Sequence, residues 1–214
     1  MKQLIIIGAS GFGRDLVDIA KSMPNYEVDF AIKGFLVHKK EYLSSLDKYP
    51  QYPPVLGMVD DYKVSNNDVF VCSLGDVNEK KSVVQPLVEK GWDFYTLVHP
   101  TARVSPFASI DEGTIIEANV TIGSGAHIGS HCLIQTSSVI AHDDIIGDFS
   151  RIDCNVVCVG NVIVEEGATI HTSSVINHGV RVGSFSTIGA MSFVIRKVKP
   201  GVTVQGNPAK QILF

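Results

Sequence analysis

The sequence predicts a small α/β domain over residues 1–95, followed by an all-β parallel solenoid over residues 96–214. Two patterns indicate this architecture. An apolar or cysteine residue recurs at every sixth position from Val98 to Val194, and residues 3–13 join a short apolar strand to a glycine-rich turn. The composition, with 45% hydrophobic and 19% charged residues in 214, is typical of a folded chain.

The six-residue period is the strongest feature of the sequence, because no position interrupts it. A unit of six residues is too short for a helical repeat and fits one short strand and one corner. Three units form an 18-residue coil, so residues 98–194 span about five coils, whose strands would stack ~4.8 Å apart. The seventeen positions of the period are Val98, Val104, Ile110, Ile116, Ile122, Ile128, Ile134, Ile140, Ile146, Ile152, Cys158, Val164, Ile170, Ile176, Val182, Ile188 and Val194.

A second row of residues supports the coil, four positions after each member of the period. These residues are small or β-branched, as expected for a second inward-facing row, and Asp144 is the exception. The position directly after each period residue favours glycine, aspartate, glutamate or asparagine, which suit corners.

The N-terminal part alternates strands and helices, which predicts a Rossmann-like βαβαβ domain. Strands are expected over residues 3–7, 31–37 and 68–74, a helix over 80–90, and a last strand over 92–98 that leads into the repeat. The first helical pattern begins directly after the glycine-rich turn.

The turn from Gly8 to Gly13 is placed to offer backbone N–H groups to a phosphate. Its spacing, Gly-x-x-Gly-x-Gly, differs from the dinucleotide fingerprint, and no acid follows the second strand where NAD enzymes bind the ribose. Two interpretations remain open: a site for a sugar nucleotide, and a tight turn with a structural role alone.

Charge and cysteine usage exclude several classes. The formal net charge is −4, which argues against nucleic-acid and membrane partners, and no run of 18 apolar residues predicts a transmembrane helix. The four cysteines form no Cys-x-x-Cys pair, so neither a zinc site nor a disulfide framework is indicated. Buried free thiols predict a reducing, cytoplasmic location.

Six segments together resemble one family: the bacterial sialic acid O-acetyltransferases and nucleotide-amino-sugar N-acetyltransferases. The resemblance covers nearly the whole chain. It implies that the solenoid is a left-handed β-helix, against the usual right-handed rule for parallel crossovers, and that the protein is a homotrimer. The segments are Gly8–Arg14, Ser73–Asp76, His99–Ala102, Thr136–Asp143, Ile146–Phe149 and Gly206–Lys210.

The resemblance also implies a catalytic role for His142, as the general base that takes a proton from a sugar amine or hydroxyl while that group attacks acetyl-CoA. Asp143 or Asp144 would orient the imidazole. Gly160 lies 18 residues after His142, at the same corner one coil on, and its amide would stabilise the oxyanion.

The remaining implied residues concern the two substrates. Thr172 and Ala190 fall in a column that binds the pantetheine arm in the family, and Arg151 lies near the reacting acyl group. Many relatives have histidine in place of Arg151 and of Phe12, and uridine-binding relatives have acids in place of Val37 and His38. The expected nucleotide-sugar residues are Gly8, Ser10, Gly11, Phe12, Gly13, Arg14, Val37, His38, Gly75 and Asp76.

The function predicted on this basis is acetyl-CoA-dependent acylation of a nucleotide-linked amino sugar or a sialic acid in surface-glycan biosynthesis, without a metal. One alternative is a non-catalytic partner of a sugar-biosynthesis enzyme. A metal hydratase of the β-helix type is another, but His142 and His178 are two coils and ~9.6 Å apart, too far for one metal ion. His178 is either functional or a solvated corner residue.

Overall fold

The computed structural model describes residues 1–212 and divides into two compact units, Met1–Leu97 and a second unit that begins at Val98. The first unit has a four-stranded parallel sheet of order β3-β2-β1-β4. None of the helices described is long and apolar enough to cross a membrane. The elements of this unit are β1 (Lys2–Ile7), α1 (Gly11–Ser22), β2 (Phe30–Val37), a 3₁₀ turn (Lys40–Tyr42), β3 (Val55–Met58), β4 (Asp68–Cys72) and α2 (Val77–Glu89).

Burial explains why β1 forms the centre of this sheet. Its residues Leu4–Ile7 have no solvent-exposed surface, so the strand is covered on both faces, as parallel strands are. Strand β3 escaped prediction because two prolines precede it and Gly57 interrupts it. The strand predicted over residues 92–98 is wrong for most of its length, since only Leu97–Val98 is a strand there.

The second unit is a left-handed parallel β-helix of two-residue strands that start at every sixth position. The strands form three sheets, and each corner leads from one sheet to the next. The regular strands are β5 (Leu97–Val98), β6 (Arg103–Val104), β7 (Ser109–Ile110), β8 (Ile115–Ile116), β9 (Thr121–Ile122), β10 (His127–Ile128), β11 (Leu133–Ile134), β12 (Val139–Ile140), β13 (Ile145–Ile146), β14 (Arg151–Ile152), β15 (Val157–Cys158), β16 (Ile163–Val164), β17 (Thr169–Ile170), β18 (Val175–Ile176), β19 (Arg181–Val182), β20 (Thr187–Ile188) and β21 (Phe193–Val194), followed by β22 (Thr203–Gly206) and its antiparallel partner β23 (Ala209–Ile212).

The register of the coils is 18 residues throughout the regular part. Val139 pairs with Val157, and the Val139 N–H donates to the Val156 carbonyl at 2.8 Å. The second residue of each strand faces the interior, and from Ile116 to Val194 these residues are at most 2% exposed. They form one continuous apolar column.

The corners share one backbone conformation that has the same six-residue period. At every sixth position from residue 113 to residue 191, φ lies between 53° and 73°. This left-handed region is costly for most side chains, which accounts for the glycine, asparagine, aspartate and serine at many of these positions. Non-glycine residues here include Asn119, His131, Ser137, Asp143, Phe149, Asn155, Asn161, Ser173, Phe185 and Met191.

Two neighbours on β13 test the inward column. Ile146 has no exposed surface, whereas Ile145 is 43% exposed. We expect Ile146→Ala to lower the free energy of unfolding by about 2–5 kcal/mol, because it leaves a cavity. Ile145→Ala, the matched control, should change it by well under half as much. Urea denaturation followed by circular dichroism measures both, and equal losses would contradict the inward column.

Asp68, a buried carboxylate on β4, connects this strand with β2 and with the loop between β3 and β4. Asp68, 4% exposed, accepts hydrogen bonds from Lys33 Nζ at 2.8 Å, Tyr62 Oη at 2.9 Å and the Ser65 N–H at 2.8 Å. Burial acts to raise the pKa of Asp68, but these donors outweigh it and hold the pKa below its usual range.

This network predicts an acid-sensitive contribution to stability. Because the pKa of Asp68 is lower in the folded state, its stabilisation is present above the unfolded pKa of about 4 and is lost as the pH falls through the folded value. We expect Asp68→Asn to destabilise the protein at pH 7 and to reduce the slope of stability against pH below about pH 5. Thermal unfolding from pH 3 to pH 7 measures this, and an unchanged slope in the variant would refute it.

Candidate active site

The corner between β12 and β13 presents a histidine and a carboxylate to solvent. His142 Nδ1 lies 2.9 Å from Asp143 Oδ2, and both side chains are more than half exposed. Asp143 holds its position through the corner conformation, with φ 58°, and through its N–H, which donates to the Ser124 carbonyl at 3.0 Å. A carboxylate at Nδ1 favours the tautomer with the proton there, which leaves Nε2 as a proton acceptor.

Two glycines on the neighbouring coils make room for this pair. A Cβ on Gly160, one coil on, would lie 2.9 Å from His142 Nε2. A Cβ on Gly125, one coil back, would lie against the Asp143 carboxylate. Both glycines also have positive φ, 107° at Gly160 and 73° at Gly125. The pair therefore packs against one glycine on each neighbouring coil, and a Cβ at either position would collide with it.

Asp144 lies beneath the same corner and has a different environment. It is fully buried, and it accepts from the Ala141 N–H at 2.7 Å and the Val162 N–H at 2.8 Å. Burial raises the pKa of Asp144, although these N–H groups and that of Gly160 act in the opposite direction. The imidazole of His142 is thus hydrogen-bonded to Asp143, while Asp144 connects two coils from inside.

Three of the predicted acyl-CoA residues lie elsewhere on the β-helix. Thr172 and Ala190 occupy the corners that follow β17 and β20, and Arg151 begins β14. Arg151 Nε donates to Asp153 Oδ1 at 2.6 Å, and His171 Nδ1 lies 2.8 Å from Asp153 Oδ2. These groups lie on the sheet of β14, β17 and β20 or at the corner where it leads to the sheet of β12, β15, β18 and β21. His142 lies at the next corner, where the latter sheet leads to that of β13. A single chain therefore does not bring these groups to His142.

A separate cavity of about 160 Å³ lies in the first unit, at the carboxyl ends of β1, β2 and β4. We call it the turn cavity. This edge of an open parallel sheet is where such folds bind ligands. Its lining residues are Gly8, Ala9, Ser10, Val37, His38, Tyr42, Ser73, Leu74, Gly75 and Glu79.

Close packing shapes the glycine turn beside this cavity. Ser73 is buried, and its hydroxyl donates to the carbonyls of Ile7 at 3.1 Å and Gly8 at 2.9 Å. A Cβ on Gly13 would collide with the Gly8 carbonyl, so this glycine allows α1 to pack against the turn. Ser10 precedes α1 without a side-chain capping bond, and the first turn of α1 has no acidic residue. The helix terminus is therefore suited to an anion.

Five of the ten residues predicted for the nucleotide sugar line the turn cavity: Gly8, Ser10, Val37, His38 and Gly75. The others are close in sequence but are not among the lining residues: Gly11, Phe12 and Gly13 are in α1, the Arg14 guanidinium lies 4.2 Å from the Tyr49 ring centroid, and Asp76 caps α2 by accepting from the Glu79 N–H at 2.8 Å.

Glu79 closes one side of the turn cavity, although no sequence pattern predicts it there. Glu79 Oε1 lies 3.0 Å from His38 Nε2 and accepts from Lys39 Nζ at 2.5 Å. Lys39 first and His38 second lower the pKa of Glu79, so it is a carboxylate at neutral pH. Its position on α2, some 40 residues from β2 in sequence, gave no local pattern by which to find it.

Metal ligands are not grouped in the described part of the chain, since no cluster of three histidine, cysteine, aspartate or glutamate side chains lies close enough to hold an ion. All four cysteines are free thiols.

Family models of known proteins match segments in both units. The model of the PglD N-terminal domain matches residues 3–87, and that of the bacterial transferase hexapeptide, with six repeats, matches residues 107–142. The chain therefore carries a segment similar to the PglD N-terminal domain, followed by bacterial transferase hexapeptide repeats. The chain is 28% identical to the GDP-perosamine N-acetyltransferase of Escherichia coli O157:H7, over 97% of this chain and 95% of that one.

Two solved structures share the fold of this chain over nearly their whole lengths. The acetyltransferase domain of PglB from Neisseria gonorrhoeae FA1090, in complex with acetyl coenzyme A, has a TM-score of 0.86 at 23% identity, covering 99% of both chains. PerB from Caulobacter crescentus, in complex with CoA and GDP-perosamine, has a TM-score of 0.85 at 22% identity, covering 99% of this chain and 98% of that one. Their similarity confirms the predicted fold class.

The packing of His142 over Gly160 predicts a specific effect of one methyl group. In Gly160→Ala, the new Cβ would force the imidazole away from its position, because the two atoms cannot approach to 2.9 Å. We expect altered imidazole chemical shifts of His142 in NMR spectra selective for histidine side chains. Gly179→Ala is the matched control: Gly179 also has positive φ, 69°, but its Cβ would meet nothing within 4 Å. Equal shifts in both variants would mean that backbone strain, not the contact, is responsible.

Proposed function

We propose that this protein transfers the acetyl group of acetyl-CoA to the amine of a nucleotide-linked amino sugar, with His142 as general base. The observation that carries the proposal is the exposed imidazole whose Nδ1 lies 2.9 Å from Asp143, which leaves Nε2, beside Gly160, as the proton acceptor. The full-length relative from Escherichia coli, named an N-acetyltransferase, supports an amine rather than a hydroxyl acceptor.

In the proposed reaction, the amine nitrogen attacks the thioester carbonyl carbon while His142 Nε2 accepts the proton that the nitrogen loses. The Asp143 carboxylate stabilises the imidazolium that forms and holds the ring in place. When the tetrahedral intermediate collapses, the carbon–sulfur bond breaks and the leaving thiolate takes the proton from His142. The products are the N-acetylated sugar and free CoA thiol.

The developing oxyanion requires a fixed donor, and we assign this role to the Gly160 N–H. Two features support the assignment. Gly160 packs against the imidazole of His142 close to Nε2, and it lies at the equivalent position one coil on.

The acyl-CoA residues require a second copy of the chain in this proposal. Arg151, Thr172 and Ala190 belong to a different corner from His142, so a neighbouring subunit of a homotrimer would place its own set opposite each His142. The turn cavity would hold the nucleotide part of the acceptor, with its phosphates at the start of α1. The free cysteines favour a reducing, cytoplasmic setting.

Thiol release from acetyl-CoA tests the proposal directly. The acceptors are GDP-, UDP- and dTDP-linked 4-amino sugars, with free and CMP-linked sialic acid as hydroxyl acceptors. We expect turnover with one nucleotide-linked amino sugar and a loss of about 10²–10⁴-fold in kcat for His142→Ala, because general-base assistance contributes that much. Asp143→Asn should lower kcat less severely, with a similar KM.

His127→Ala is a suitable control. His127 also lies beside a carboxylate, with Nε2 3.5 Å from Asp111 Oδ2, but it is on β10, a strand and not the His142 corner. Its kcat should match that of the unmodified protein. Full activity in His142→Ala would remove the proposed base, whereas no turnover with any acceptor would favour the non-catalytic role. Turnover with sialic acid alone would replace the amine acceptor by a hydroxyl.

A further inference from the structure

A second cavity, of about 260 Å³, lies in the first unit along helix α2. We call it the α2 cavity. It is larger than the turn cavity, and the two are neighbours because His38 lines both. Its lining residues are His38, Lys39, Val59, Asp60, Ser82, Val83, Pro86, Leu87 and Lys90.

The position of this cavity in the fold suits a nucleoside. His38 directly follows β2, and Rossmann-type domains bind the ribose at the end of this strand when the phosphates sit at the first helix. A ligand with its phosphates at the start of α1 would therefore have its ribose near His38. The base would continue past His38 into the α2 cavity.

The lining has the chemistry of a base-binding pocket. Three apolar side chains line the cavity: Val59 and Leu87, which are buried, and Val83, which is half-buried. Asp60 and Lys90 are exposed at the rim, and neither takes part in an ion pair with another described residue. The cavity thus offers both a carboxylate acceptor and an ammonium donor to a ligand.

From this lining we infer that the α2 cavity binds guanine, so the acceptor would be a GDP-linked amino sugar; the inference rests on the proposed function. Guanine has adjacent N1–H and 2-amino donors that suit Asp60, and O6 and N7 acceptors that suit Lys90. Adenine would present the N1 lone pair to the Asp60 carboxylate, which is repulsive. Uracil and thymine offer one ring N–H and fill less of the cavity.

Isothermal titration of the full-length protein with nucleoside diphosphates tests the inference without any acyl transfer. We expect GDP to bind at least about tenfold more tightly than UDP, dTDP or ADP. Inosine diphosphate lacks the 2-amino group and should bind several-fold more weakly than GDP. In Asp60→Asn, the affinity for GDP should fall about tenfold. The difference in affinity between GDP and inosine diphosphate should disappear.

Asp61→Asn is the matched control, because Asp61 is the exposed neighbour of Asp60 and does not line the cavity. It should bind GDP as the unmodified protein does. 7-Deaza-GDP, which lacks N7, should bind more weakly than GDP to the unmodified protein but equally to Lys90→Met. Circular dichroism of each variant establishes that the fold is intact.

Three results would overturn the inference: equal affinity for GDP and UDP, equal affinity for GDP and inosine diphosphate, or an effect of Asp61→Asn as large as that of Asp60→Asn. These outcomes differ from failure of the proposed function, which is absence of thiol release with every acceptor. Turnover with a UDP-linked amino sugar, together with no preference for GDP, would retain the acetyltransferase and remove the guanine pocket.

Discussion

The 18-residue stacking of the coils is the constraint on which the candidate active site depends. Each coil donates its backbone N–H groups to the coil that follows, as from Val139 to Val156. Any residue therefore has a fixed neighbour one coil on. His142 and Gly160 are 18 residues apart and meet at the same corner because of this register. A one-residue slip in any coil would exchange inward and outward side chains and separate the two.

The corners convert this regular stacking into a site of defined shape. Their left-handed backbone conformation recurs at each sixth residue, and Asp143 occupies one such position. Its carboxylate is thereby turned toward His142 Nδ1 and packs above Gly125. The orientation of the imidazole thus follows from the backbone conformation of the corner and from the absence of side chains at Gly125 and Gly160.

Two buried carboxylates illustrate how environment decides protonation. Asp68 and Asp144 are both removed from water, and burial acts to raise the pKa of each. Asp68 has a lysine ammonium at 2.8 Å, so its pKa is lowered on balance. Asp144 receives backbone N–H groups and forms no ion pair with a described residue, so burial outweighs these donors and the charge effect of His142, and its pKa is raised. Neutral donors stabilise a buried carboxylate less than a paired charge does.

The sequence by itself determined the β-helix, because an inward residue at every sixth position specifies strand, corner and coil without reference to distant parts of the chain. It also indicated the position of the first strand, glycine turn and helix, which are equally local. The resemblance of short segments singled out His142, and the structure shows which of the two following acids contacts it: Asp143 at the corner, with Asp144 inside.

Only the tertiary structure decided the rest. The turn cavity and the α2 cavity combine residues from the ends of β strands with residues of α2, some 40 positions later, and no periodicity relates such positions. The sequence also did not show why positions 125 and 160 are glycine. A corner glycine can be required by the backbone conformation of its own turn or by close packing against an adjacent coil, and the two cases have the same sequence pattern. Repeating patterns record contacts between neighbours in sequence, whereas a binding cavity depends on contacts between segments whose separation varies from place to place.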